Sequence, residues 1–116
     1  MSEEIRETWL QKIRDIAPLI EKAEYESLKS DADVKRVLAV LKTKALGEGI
    51  KTTSAQDTWA ENQSELYEAR LLHAKNKALL TGLRVRLKAL EVGFEEWRTQ
   101  MVSKRKEMER YGVESG

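Results

Sequence analysis

Ile5, Trp9, Ile13, Ile16 and Ile20 recur at steps of three or four, which places them on one face of a helix. Ser2 precedes that run as a helix N-cap, with Glu3 and Glu4 in the first turn. Pro18 interrupts it. A missing N–H and a clash with the carbonyl four residues back predict a kink there, or a restart with Pro18 in a new first turn. Ser30-Asp31-Ala32-Asp33 predicts a second break, capping a helix that carries Val34, Val37, Leu38, Leu41 and Ala45. Gly47 and Gly49 then end that helix. Residues 47–53 read as a linker, after which Thr53 and Gln56 have capping-box spacing. Beyond them only Gly82 and Gly93 weaken the helical pattern, each by about 1 kcal/mol relative to Ala. An unbroken helix of ~56 residues would be about 84 Å long.

This C-terminal half carries a seven-residue repeat. With Trp59 at position a, the a sites are Trp59, Leu66, His73, Leu80, Leu87, Phe94, Met101 and Met108. The d sites are Asn62, Ala69, Asn76, Leu83, Leu90, Trp97, Lys104 and Tyr111. The block formed by Leu80, Leu83, Leu87, Leu90, Phe94 and Trp97 is apolar throughout and reads as a coiled-coil seam for an oligomer. His73 and Asn76 read as buried polar residues that set register, so His73→Leu is expected to raise stability. A second apolar stripe, Leu71, Leu72, Ala78, Leu79, Val85 and Val92, occupies f and g sites. A helix apolar on two sides is buried on two sides. One side is expected to be a self-association or hairpin seam, and the other a dock for the N-terminal helices.

The predicted fold is therefore all-α, with short N-terminal helices folded on a long C-terminal coiled-coil-like helix. Its parts are a helical segment over 1–46, the linker 47–53, the heptad-bearing helix 54–110 and a tail 111–116, in one domain. A parallel dimer is the favoured oligomer. It sets Glu65 against Arg70 and Arg86 against Glu91 across the g and e sites, with no like-charge pair. A hairpin with the acidic N-terminal helices could use the same charges.

Composition narrows the chemistry. The 116 residues hold 21 bases, 20 acids, one histidine and no cysteine. That removes disulfides, thiolate catalysis and cysteine-ligated metals. One histidine cannot make a two-histidine metal site within a chain, and the residue three before His73 is Arg70, not the glutamate of a di-iron motif. No catalytic residue, metal site or cofactor is expected. The longest run without a formal charge is six residues, which leaves no membrane span or signal-peptide core and makes the cytoplasm the default compartment. The 47–52 stretch lacks a phosphate loop's first glycine and follows a helix, so it reads as a hinge.

Charge is segregated along the chain. Residues 1–33 hold nine acids and five bases, residues 52–68 four acids and no base, and residues 69–90 six bases and no acid. The e column sharpens this. Arg70, Lys77, Arg84, Arg98 and Arg105 stand at five of its six sites from 70 to 105, with Glu91 the exception, over roughly 50 Å of helix. Such a column serves either as salt-bridge partners for a neighbouring helix or as a phosphate-tracking stripe that binds nucleic acid. No aromatic residue lies within 69–90 to stack on a base.

Three stretches carry a resemblance: 45–56, read Ala-Leu-Gly-Glu-Gly-Ile-Lys-Thr-Thr-Ser-Ala-Gln; 94–99, read Phe-Glu-Glu-Trp-Arg-Thr; and 105–108, read Arg-Lys-Glu-Met. Over roughly residues 40–110 the chain resembles small helical proteins of tailed bacteriophages encoded among early recombination and replication genes. Ile50 departs from that pattern, where a polar residue or histidine is expected. The resemblance implies a phage or prophage origin, residence in the host cytoplasm and an accessory role near DNA metabolism. The expected partners are a second copy and DNA or a DNA-bound protein, with no membrane. The alternative is an adaptor or inhibitor of a host protein that makes no nucleic-acid contact.

Overall fold

A computed structural model describes residues 2–110. Among them are three helices and no strand: α1 (Ser2–Gly47), α2 (Thr53–Glu61) and α3 (Ser64–Arg110). The all-α prediction holds, with a long C-terminal helix packed on a long N-terminal helix and a short one. The predicted tail, 111–116, and the d-site Tyr111 lie outside the described residues.

The N-terminal segment differs from expectation. It is one helix of 46 residues, unbroken at Pro18 and at Ser30-Asp31-Ala32-Asp33. The apolar stripe stays in phase across Pro18, with Ile13 and Ile16 before it and Ile20 and Ala23 after it, and Ile16 and Ala23 are buried. Packing of that stripe outweighs the ~3 kcal/mol that an internal proline costs. Ser30 does not cap a helix. It is buried, and its hydroxyl bonds the Ser27 carbonyl at 3.0 Å within the same helix.

α1 ends in a Schellman turn. Gly49 has φ +90, the left-handed conformation that glycine adopts without a Cβ penalty. Its N–H donates to Leu46 O, and the N–H of Ile50 donates to Ala45 O. The cap of α2 lies one residue earlier than predicted. Thr52, not Thr53, is the N-cap, its Oγ1 accepting from the Ala55 N–H at 3.2 Å. Gln56 reaches back to the Ile50 carbonyl at 2.9 Å instead of completing a capping box.

The predicted 54–110 helix is also two helices. Asn62 caps α2 at its C-terminus, and α3 starts at Ser64. The heptad register does not run back into α2, because Ala60, at a b site, is fully buried while Trp59, at an a site, is half-buried. Turning the chain at Asn62 and Gln63 lets Ala60 join Leu41 and Leu66 in a core cluster, with Val34, Val37, Leu38 and Trp59 against it. One straight helix could not offer both the b face of 54–61 and the a face of 66 to the same stretch of α1.

The chain divides into two compact units, 1–18 with 83–116 and 19–82. The boundaries fall at Pro18 and Gly82, the residues least suited to helix interiors in their stretches. In the 19–82 unit, Asn76 Nδ2 donates to the Glu26 carbonyl at 3.2 Å, and His73 Nδ1 meets Ser30 Oγ at 3.0 Å. Rising numbers on α1 meet falling numbers on α3, so the helices run antiparallel. Lys42 ties α1 to Asp57 of α2 at 2.9 Å. In the other unit, Trp9 covers Gly93, where an added Cβ would lie 2.7 Å from the indole Cη2.

Candidate interaction surfaces

The heptad column faces α1 of the same chain, the hairpin use among the expectations for this seam. Leu80 and Leu83 are buried, and Leu87, Leu90, Phe94 and Trp97 are half-buried. Phe94 and Trp97 stack with ring centroids 6.0 Å apart. The register residues have specific bonds to α1. Because a serine hydroxyl carries one hydrogen, donating it to Ser27 leaves Oγ to accept from a protonated His73 Nδ1. His73 Nε2 lies 3.8 Å from Asp31 Oδ1. Among the described residues no buried side-chain polar atom lacks a partner.

With α1 on the a and d face, the second stripe is not the dock for the N-terminal helices that its apolarity predicted. Leu71, Leu72, Leu79, Val85 and Val92 are all exposed, from 42% to 64%. α1 covers one apolar side of α3, and the stripe on the other side stays uncovered.

The five predicted basic residues have separate fates, and all five are exposed. Arg70 hydrogen-bonds Glu61 across the α2–α3 turn. That bond holds the Glu61 carboxyl below its ordinary range and raises the Arg70 guanidinium. The acid that Arg70 meets is thus Glu61 of its own chain. Arg84 is likewise engaged within the chain. Arg98 pairs with Glu95 at 3.1 Å, and its guanidinium lies 5.8 Å from the Phe94 ring centroid. Lys77 projects from the 19–82 unit with no ion pair among the described residues.

Arg98 and Arg105 come together in the unit of 1–18 and 83–116. They border a cleft of about 530 Å³ between the first turns of α1 and the last turns of α3. Trp97, Met101 and Met108 supply apolar lining, Arg6 and Lys104 add two more cations, and Glu3 is the one acid. The sequence reading missed Arg6 and Lys104. Lys104 carried a signal, since a lysine at a d site marks where the seam stops being core. Arg6 carried none, because it sits in a stretch where acids outnumber bases nine to five.

Among the described residues no cluster of three His, Asp or Glu side chains could hold a metal ion. No described helix is long and apolar enough to cross a membrane. No protein family matches the chain, and no match is found among curated proteins or solved structures.

Proposed function

We propose that the protein is a non-enzymatic helical accessory protein that binds nucleic acid, free or within a nucleoprotein, through the cleft at Arg98 and Arg105. The observation that carries this reading is the convergence of Arg6, Arg98, Lys104 and Arg105 around Trp97 and Met101, with Glu3 the one acid in the lining. Guanidinium forks suit phosphate oxygens, and an indole offers a base a stacking face whatever its sequence. The Arg98–Glu95 pair is exposed and three residues apart on one helix, so it is worth only a few tenths of a kcal/mol and yields to a phosphate. A role in recombination or replication rests on the phage resemblance alone.

Fluorescence anisotropy with labelled single strands and duplexes over a salt series tests the reading. Arg98→Glu with Arg105→Glu should abolish binding at unchanged helicity. Each lost phosphate contact should flatten the log-affinity against log-salt slope by about 0.7 for single strands or about 0.9 for duplex. Lys77→Glu, outside the cleft, should leave binding nearly unchanged. Wild-type protein that ignores both strands at low salt ends the proposal.

A further inference from the structure

The apolar stripe left uncovered in the 19–82 unit borders a groove, which Leu72 lines. Leu72 and Leu79 stand one heptad apart at g sites of α3 and are 52% and 58% exposed. Leu72 and Ala69 face Val37 and Val40 of α1 across a space of about 420 Å³, with the buried Leu41 also lining it. Val40 is 46% exposed, so both walls present apolar surface to water. Two antiparallel helices with such a groove lack the helices that would complete a bundle.

We infer that a second copy of this chain covers the groove, the two hairpins packing groove to groove as a four-helix bundle. Charge selects this occupant. Arg36 and Asp33 of α1 and Glu65 of α3 line the same groove, and among the described residues none of the three has an ion-pair partner. A rim carrying both signs at one level is self-complementary under a two-fold axis. With that axis along the helices, α1 of each copy lies on α3 of the other, and Arg36 meets the second copy's Glu65 twice. An axis across the helices would set α3 on α3, where residues 69–82 hold Arg70, Lys75 and Lys77 and no acid. A uniformly acidic helix from another protein would meet Asp33 and Glu65 with like charge, and a uniformly basic one would meet Arg36 so. This contact centres on the g-site Leu72, with Ala69 at the edge of the d column, and leaves the rest of the a and d seam to α1. It is independent of the nucleic-acid reading.

Sedimentation equilibrium tests it. Wild-type protein should show twice the chain mass of 13.3 kDa. Leu72→Glu should be a monomer of unchanged helicity. Arg36→Glu and Glu65→Arg should each weaken association about tenfold or more. An equimolar mixture of the two single variants should regain wild-type association, because every rim contact is then attractive again. Both changes are at the surface, so the mixing arm remains decisive if Leu72→Glu fails to fold. A wild-type monomer at high micromolar concentration overturns the inference. So does a dimer indifferent to Leu72→Glu, or single reversals that mixing does not rescue.

Discussion

The two units are built from the same two helices yet hold together differently. The 19–82 unit contains Ala23, Ser30, Leu41, Ala45, Ala60, Leu66 and Leu80 among its buried residues, whereas the unit of 1–18 and 83–116 has Ile16 and Leu83. The first has a third helix, and α2 shields the end of the hairpin where Leu41, Ala60 and Leu66 meet. It also has hydrogen bonds across the helices, from Asn76 and His73. The second relies on large side chains laid over one another, Trp9 on Gly93 and Phe94 beside Trp97. Large half-buried aromatics seal a two-helix interface without completing a core. That leaves a cleft with a basic border in one unit and a well-buried core beside an apolar groove in the other.

The contrast is most exposed to failure at the core. Leu41→Ala or Leu66→Ala should cost about 2–5 kcal/mol, because each removes a fully buried side chain from a site with several neighbours. Met101→Ala, at a half-buried site lining the cleft, should cost well under half as much. Urea unfolding of the three variants measures this, and equal losses would dissolve the distinction between the units.

His73→Leu tests the polar cross-link. The heptad pattern alone predicts a gain in stability, whereas the structure reverses the sign. The substitution removes the bond to Ser30, whose side chain belongs to a buried residue, and a loss of about 1 kcal/mol is expected. Adding Ser30→Ala should recover part of it, since no hydroxyl is then left with a bond missing. Thermal unfolding of the single and double variants reads the coupling.

The two glycines of α3 sit in different surroundings. Nothing lies within 4 Å of a Cβ added at Gly82, so Gly82→Ala should raise stability by about 0.5–1 kcal/mol through helix propensity. Gly93→Ala should gain less or lose, because the new methyl displaces the Trp9 indole. In a Trp9→Leu background Gly93→Ala should recover the gain, and the double-mutant cycle isolates the contact.

The smallest effect belongs to Glu61 and Arg70. The bond from Arg70 lowers the folded-state pKa of Glu61, so its stabilising contribution is present above the unfolded value and fades as pH falls through the folded one. In Arg70→Gln the Glu61 carboxyl should titrate closer to its ordinary range. A carboxyl-detected NMR titration shows the change, while stability at neutral pH should hardly move for so exposed a pair.

Much of this architecture is legible in the pattern of residues. Helix content, the turn at Gly49 and the a and d column from Leu66 to Met101 follow from local rules, since periodicity and caps act within one or two turns. The segregation of bases into 69–90 is legible in the same way. The misplaced features share one cause. Pro18 and Ser30 carry strong local signals for a break, and both were overridden by a stripe that packs in phase on a helix far along the chain. Asn62, lacking a strong signal, became a turn because Ala60 and Leu66 had to reach one stretch of α1.

The candidate sites were less legible still. Two apolar sides and one basic edge on α3 follow from the order of its residues alone. It takes the packed hairpin to set α1 on the first side, to hold Arg70 with Glu61, and to stand Arg6 beside Lys104 and Arg105. Propensity and period are properties of neighbouring residues. The partner of a face, and the company a surface charge keeps, depend on which distant segments the antiparallel hairpin brings level.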